Sequence, residues 1–347
     1  MDFLRNKTMR FILLISMIAS FLIALYITPW SIRYLKRINL ISRDQNKKNK
    51  PFIPISGGMA VLSGLFMGIM SFIFLNTFFP GDGILMLNDK VLMLVLSSLI
   101  SIIIITIVGF VDDLLRIDNG PHIGLRQWQK PLLTLAAAVP LIVVNSGVST
   151  IIAPFFGRID VGLIYPLLFI PIGVVGAANM VNMLAGFNGL ETGLGMIITG
   201  MLAIYGYFNI ETQFFSERVT AVIISAIIFS ALLAFFFFNR YPAKILPGDS
   251  LTYLIGGAIA SIAIIGNLEK AALIASIPFF IEFALKIRGN FKKQSFGYYK
   301  NGKVRSLYKE IYSIPHIFTK TGMFTEKQVV YFIWSIELFF SSLIWII

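Results

Sequence analysis

The sequence predicts an all-α polytopic membrane protein of about ten transmembrane helices, and three observations carry that expectation. Hydrophobic residues make up 57% of the 347 residues and charged residues only 13%, against roughly 25% charged in a soluble domain. The apolar residues gather in runs close to the 20 or so residues that cross a bilayer core about 30 Å thick as helix. The charges, formally +12 in sum, fall between those runs. A basic balance placed this way suits loops facing anionic lipid or anionic substrates better than it suits nucleic acid. The absence of cysteine excludes thiolate catalysis, Cys-ligated zinc, iron–sulfur clusters and disulfides. Two histidines, His122 and His316, leave little room for a His-rich metal site.

Bounded by charge, Pro, Gly or Asn, the ten expected spans are 9–28, 55–79, 91–111, 132–147, 161–178, 190–208, 219–238, 251–265, 271–285 and 329–346. The first is too long for a signal peptide and lacks a small-residue cleavage site, so it reads as a retained helix. The second opens at Gly57-Gly58, where close helix packing and ligand approach are equally good reasons for the glycines. Asp112-Asp113 closes the third span and Lys130-Pro131 precedes the fourth. Asn179 follows the fifth, Asn188-Gly189 opens the sixth, Asn239-Arg240 ends the seventh and Asp249 opens the eighth. The eighth and ninth are the shortest.

Lys and Arg, counted in alternate loops, divide 22 against 7. Because the excess marks the cytoplasmic side, both termini are expected outside and the odd-numbered loops inside. Those loops cover about 30–54, 112–131, 179–190, 239–250 and 286–328. No fixed-period repeat or linker divides the chain, so residues 1–347 read as one integral membrane domain with its active site in the cytoplasmic loops.

Four of these loops hold residues that apolar periodicity does not require. Asp112 and Asp113 are adjacent carboxylates at the end of an apolar helix. Ionisable groups at membrane depth are costly and functional by default, and such oxygens suit Mg²⁺ or hold lysines; a pair that simply ends a helix in water is the plainer account. Arg126 and Lys130 are either anion ligands or snorkellers at the membrane surface. Asn179 and Asn182 share a face if helical. Their carbonyl oxygens can bind a hard cation while Gly186 and Gly189 let backbone approach a ligand, although interhelical hydrogen bonding followed by an Asn188-Gly189 turn explains the same residues. Asp249 sits at the start of the eighth span, either as a plain helix cap or beside N–H groups that attract anions. The basic stretch from Lys286 and Arg288 onward is a phosphate clamp or a face attracted to anionic lipid. Together these acids, amides and cations are the parts for Mg²⁺-assisted handling of phosphates. No Gly-x-x-x-x-Gly-Lys-Ser/Thr loop is present.

Gly109-Phe-Val-Asp112-Asp113, Asn179-x-x-Asn182-x-x-Ala-Gly-x-Asn188-Gly-Leu-Glu191 and Pro247-Gly248-Asp249, in this order, resemble the polyprenyl-phosphate N-acetylhexosamine-1-phosphate transferases across roughly residues 50–290. The Ala185-Gly-Phe-Asn188-Gly segment resembles the eukaryotic and archaeal dolichyl-phosphate GlcNAc-1-phosphotransferases, where bacterial branches carry Asp-Gly-x-Asp-Gly. The resemblance implies transfer of GlcNAc-1-phosphate from UDP-GlcNAc to a dolichyl-type phosphate with release of UMP, the first membrane step of N-glycan or related assembly. It implies Mg²⁺, with Mn²⁺ as a substitute, held by Asn182 and Asp249. Asn188 would meet the uridine base, in a substrate-binding set with Asn179, Gly189 and Glu191, and Lys130 would meet phosphate. Asp112 and Asp113 match a pair for which base and lysine-positioning roles both stand. In the ninth loop the family's Arg-His-Arg or His-x-His element is replaced by Lys286-Ile-Arg288, to which the pyrophosphate and sugar contacts fall. A homodimer is compatible with the resemblance, and the membrane would be the plasma membrane in a prokaryote or the endoplasmic reticulum in a eukaryote. The rivals are a bacterial-type undecaprenyl-phosphate transferase using another UDP-sugar and, from a different class, an ion-coupled transporter. A transporter predicts charges near span centres, whereas Asp112, Asp113 and Asp249 fall at span ends.

Overall fold

The computed structural model describes residues 7–79, 88–116, 124–144, 149–153, 157–210 and 213–346. The chain is mostly helical, and seven of its described helical segments are long and apolar enough to cross a membrane. It is a polytopic membrane protein. His122 and Gly147, the end of the fourth expected span, lie outside the described residues.

Helix α1 (Lys7–Arg37) precedes a short hairpin of β1 (Ile41–Arg43) and β2 (Phe52–Pro54), paired antiparallel with Ser42 opposite Ile53. α2 (Gly58–Phe78) and α3 (Asp89–Leu114) follow. The fourth expected span is a short stack of α4 (Gln129–Leu135), a 3-10 turn (Ala136–Ala138) and α5 (Val139–Val143). The hairpin of β3 (Thr150–Ala153) and β4 (Gly157–Asp160) leads into a π-turn (Tyr165–Phe169) that runs on as α6 (Ile170–Met183). α7 (Leu190–Phe208), α8 (Phe215–Asn239) and α9 (Gly248–Gly266) are long. The ninth expected span is two helices, α10 (Glu269–Ala275) and α11 (Ile277–Arg288), parted at Ser276 where Pro278 opens the second; proline suits a first turn and not a helix interior.

The basic ninth loop folds into a cap. It holds the hairpin of β5 (Tyr298–Lys300) and β6 (Lys303–Arg305) and the short α12 (Ile314–Thr319), before α13 (Glu326–Ser342) closes the chain with a capping box from Thr325 and Gln328.

Small residues set the packing, as expected where helices gain little from excluding lipid. α1 turns a stripe of Ser16, Ser20, Ala24 and Thr28 inward. A Cβ on Gly64 would lie 2.8 Å from Ala24 Cβ, and one on Gly68 would lie 2.5 Å from Ile227 Cγ2 of α8. α9 is the central post, with every residue after Gly248 buried. Gly256 takes α9 against the α6 backbone at Ala177 and Ala178, and Gly109 takes the end of α3 against the α9 backbone at Asp249 and Ser250. These two approaches bring the last turns of α3 and α6 to the first turn of α9.

Candidate active site at the meeting of three helix ends

Asp112 and Asp113 ride the last turn of α3, which continues to Leu114. Neighbours on a helix point about 100° apart, so the two carboxylates face different partners. Asp113 turns to α9: Oδ1 accepts the Asp249 N–H at 2.8 Å and Oδ2 the Ser250 N–H at 3.1 Å. Pro247 at the head of α9 supplies no side-chain cap, so Asp113 caps that helix from across the interface. Asp249 is therefore not the cap that its position suggests.

Freed from that role, Asp249 faces Asp112 across two cations. Lys130 Nζ, carried by α4, lies 2.6 Å from Asp112 Oδ2 and 2.8 Å from Asp249 Oδ2. Arg116 Nη2 lies 2.8 Å and 2.9 Å from the same two oxygens. Asp112 also accepts the Leu125 N–H at 2.6 Å, and Asp249 accepts Asn182 Nδ2 at 3.1 Å. Asp112 is fully buried and Asp249 nearly so, while the Arg116 side chain is 41% exposed. The cluster thus has a buried acidic floor beneath two partly exposed cations. Three carboxylates against two cations leave one negative charge over when all are ionised.

The carboxylates of Asp112 and Asp249 fit a hard divalent cation; Asn182 turns its Nδ2 to Asp249 and its Oδ1 to Thr252, so its oxygen would join only with the amide reversed. Among the described residues no three acidic or His side chains close on one point. A cation here would draw its remaining ligands from substrate phosphate and water, as Mg²⁺ commonly does.

The turn 184–189 builds a second polar cluster. Gly186 and Gly189 hold φ of +112° and +81°, a region that glycine enters without a Cβ clash. Glu191 Oε1 fastens the turn by accepting the Gly186 N–H at 2.7 Å. Asn188 is buried; Nδ2 donates to Asp44 at 3.1 Å, its N–H donates to Glu326 at 2.9 Å and Oδ1 accepts the Ala243 N–H at 2.9 Å. Lys47 pairs with both Asp44 and Glu326 and stands 4.1 Å from the centre of the Tyr241 ring. A cavity of about 160 Å³ opens here between Asn46, Tyr241, Glu326 and Lys327.

The other expected residues lie apart. Asn179 spends its amide on the Val175 carbonyl of its own helix at 2.8 Å. Lys286 is buried against Glu282 at 3.4 Å, with bonds to the Lys293 carbonyl and Ser295. Arg288 pairs at the surface with Glu310 at 2.8 Å. These two cations build the cap, and neither touches the Asp112–Asp249 cluster. The cap is tied down by Asn46, which donates to the Gly186 carbonyl at 2.7 Å and accepts the Gly297 N–H at 3.0 Å.

Sequence reasoning did not select Arg116, Asp44, Lys47, Glu326 or Thr252, whose hydroxyl donates to Asn182 Oδ1 at 3.1 Å. Arg116 had a signal, its i+4 spacing from Asp112. Asp44 and Lys47 had the weaker i+3 spacing.

The family described as glycosyl transferase family 4 matches residues 95–267, which hold the whole Asp112–Asp249 cluster. A protein of Saccharolobus solfataricus is 36% identical over 332 residues, covering 95% of this chain and 94% of its own length. One of Sulfolobus acidocaldarius is 34% identical over 331 residues, with the same coverage. Both are named, provisionally, UDP-N-acetylglucosamine–dolichyl-phosphate N-acetylglucosaminephosphotransferase. A phospho-N-acetylmuramoyl-pentapeptide-transferase of Halalkalibacterium halodurans is 30% identical over 342 residues, 96% of each chain. With these relatives matched nearly end to end and the shared segment centred on the three helix ends, the chain belongs to the polyprenyl-phosphate hexosamine-1-phosphate transferase family.

Proposed function

We propose that this chain transfers GlcNAc-1-phosphate from UDP-GlcNAc to a dolichyl-type polyprenyl phosphate, releasing UMP, at the cytoplasmic face of a ten-span membrane domain with both termini outside. The observation that carries this reading is the pair of cations, Lys130 and Arg116, each bridging the buried carboxylates of Asp112 and Asp249. Both substrates are anions, and their mutual repulsion is the first barrier to lower. Asn182 and Asp249, with Asp112 beside them, would hold a Mg²⁺ that neutralises diphosphate charge as the transition state forms. Lys130 and Arg116 face the same point and can turn from carboxylate to phosphate oxygen.

The acceptor phosphate has a second pKa near 6 and is mostly dianionic at neutral pH, so it needs no strong base. One of its oxygens bonds to the sugar-proximal phosphorus of the donor, and the bond from that phosphorus to the bridging oxygen breaks, its electron pair leaving with UMP. Asp113 has both oxygens committed to the head of α9 and Asp112 is held by Lys130, Arg116 and Leu125. Both therefore act as organisers. The uracil ring is assigned to the Asn188 cluster by family resemblance; Asn188 has both ends of its amide bonded to Asp44 and Ala243, so it would order the turn that meets the ring.

The test is transfer of radiolabel from UDP-[³H]GlcNAc to dolichyl phosphate by the purified protein, with and without Mg²⁺. Mg²⁺-dependent GlcNAc-pyrophosphoryl-dolichol with equimolar UMP is expected. Product only with UDP-N-acetylmuramoyl-pentapeptide and undecaprenyl phosphate would overturn the choice of branch, and no product with any donor would overturn the activity.

A further inference from the structure

Residues 289–325, between α11 and α13, carry seven Lys and Arg and a single acid, Glu310, which pairs with Arg288 of α11. Among the described residues none of these seven cations is paired with a carboxylate. Phe291, Ile317 and Met323 stand exposed in the same segment, Met323 by 66%.

Aromatic contacts at two edges fix where that apolar surface lies. Phe280, Phe283 and Ile287 are exposed at i, i+3 and i+7 and so share the outward face of α11. The Phe291 ring, 5.9 Å from that of Phe283, prolongs this row past the helix end. At the other edge Phe318 and Phe324 set their rings 5.1 Å and 5.0 Å from that of Phe332, which is exposed with Phe339 on the outward face of α13. Phe332 is six residues beyond Glu326 at the start of α13, about 9 Å along the axis. Ile317 and Met323 are the chain neighbours of Phe318 and Phe324. The cap therefore continues the outward apolar faces of two helices at the depth of the headgroup layer, which adds about 5–7 Å to each side of the hydrocarbon core.

Cations flank both edges. Lys292 follows Phe291 and is exposed, and Lys320 is exposed two residues after Phe318. Lys293 holds its ammonium 5.1 Å from the centre of the Tyr308 ring. Basic side chains set beside apolar ones are the chemistry of an element lying on anionic lipid. Nucleic acid or an acidic protein would answer the charge but not the continuity with the helix faces.

We propose that the edge of the cap formed by Phe291, Ile317 and Met323 docks on anionic lipid headgroups. The apolar side chains enter the headgroup layer, and Lys292, Lys293 and Lys320 meet lipid phosphate. The docked cap bears on the site below it: Ser295 donates to the Met183 carbonyl at 3.0 Å, and Asn46 joins Gly186 to Gly297. The lipid surface thereby helps to hold the turn that carries Asn188.

The chain has no cysteine, so single nitroxide labels on the full-length protein test this. Phe291→Cys, Ile317→Cys, Met323→Cys and, on the β5–β6 hairpin, Lys300→Cys are labelled and placed in nanodiscs of phosphatidylcholine alone or with an equal part of phosphatidylglycerol. In the mixed discs the first three labels are expected to be more accessible to oxygen than to an aqueous nickel chelate, and the Lys300→Cys label the reverse. In phosphatidylcholine alone, the nickel accessibility of the Met323→Cys label is expected to rise roughly twofold or more, as the attraction of the lysines to anionic lipid is lost. Lys292→Gln, Lys293→Gln and Lys320→Gln together are expected to give the same rise in the mixed discs, with the melting temperature in detergent unchanged. Nickel accessibility above oxygen accessibility at both edges in the mixed discs would overturn the docking. Lipid-like accessibility that neither lipid charge nor the lysine substitutions alter would overturn the part assigned to anionic headgroups. Inaccessibility to both reagents, the mark of a protein contact such as a second copy of the chain, would also overturn the proposal.

Discussion

Lys130 and Arg288 are both cations in loops beside the membrane, and their surroundings separate them. The Lys130 ammonium is within 2.8 Å of two carboxylates that are almost wholly buried, where the local dielectric magnifies every charge. Arg288 shares an exposed pair with Glu310, both side chains 57% exposed, and such pairs contribute little. Lys130→Met is therefore expected to lower kcat by about 10²–10³, the scale of losing one preorganised electrostatic contact, whereas Arg288→Ala should leave kcat within about twofold. Steady-state transfer assays on both variants check this. The two aspartates separate in the same way. Asp113→Ala removes the trans cap of α9 and should cost stability by roughly 0.5–2 kcal/mol, measured by thermal unfolding. If Asp112 were a general base, Asp112→Asn would recover activity at high pH; as an organiser of Lys130 it should stay impaired at every pH. The acids and amides of this cluster are legible in the sequence because they interrupt apolar runs. Thr252, which bonds Asn182, is not, since it sits inside an apolar span where a hydroxyl is unremarkable. The Arg116–Asp249 contact joins residues 133 apart in the chain, and only the approach allowed by Gly109 reveals it.

At the scale of elements, residues 291–326 are the part that the sequence left open, within a basic stretch that could clamp phosphate or lie on anionic lipid, and they form most of the cap. Its charges sit on its outside, but what folds it is uncharged or internally paired. Glu282 accepts the Ser313 hydroxyl at 2.6 Å and the Ile314 N–H at 2.7 Å, anchoring the head of α12 to α11. His316 is buried; Nδ1 accepts the Tyr312 N–H at 3.2 Å and Nε2 faces the Gln294 carbonyl at 3.0 Å. These bonds require the neutral ring with its proton on Nε2. Burial, aided by the nearby Lys286 charge, pushes the His316 pKa down to about 4, the Gln294 carbonyl opposing. The unfolded ring titrates near 6.5, so the unfolded cap binds more protons between the two values and stability is lost as pH falls through that window. Below about pH 6.5 the cap should weaken by up to roughly 1.4 kcal/mol per pH unit until about pH 4. Hydrogen exchange of residues 292–320 at pH 7.5 and pH 5, corrected for intrinsic rates, should show faster opening at the lower pH. His316→Gln should flatten the difference. A histidine lying in a run of lysines carries no sequence signal of this kind, because its tautomer is set by carbonyl and N–H groups that only folding brings near.

At the scale of the whole molecule, the periodicity of apolar runs was enough to locate the long helices, because a bilayer demands length and low charge before anything else. It misjudged where they stop. α3 runs on through Asp112 and Asp113 because both carboxylates find partners on α4 and α9, so the helix has no reason to end at the first charge. The segment 271–285 is split at Ser276, since a proline near the start of α11 cannot continue α10. The proposed orientation follows from loop charge, and the chain allows a clean check because it has no cysteine of its own. Lys270 lies exposed at the end of α9 remote from the Asp112–Asp249 cluster, and Lys300 lies exposed on the cap. If the cap faces the cytoplasm, Lys270→Cys in intact cells should react with a membrane-impermeant maleimide, and Lys300→Cys only after permeabilisation. The reverse pattern would place the Lys130 pocket outside, where a nucleotide-sugar donor is not made, and would remove the ground for a UDP-sugar as its substrate. Labelling of both from one side would instead mean an even number of crossings between them. In that case the α10–α11 pair would be a re-entrant hairpin and not a span, a structure tolerated at membrane depth only where protein covers it.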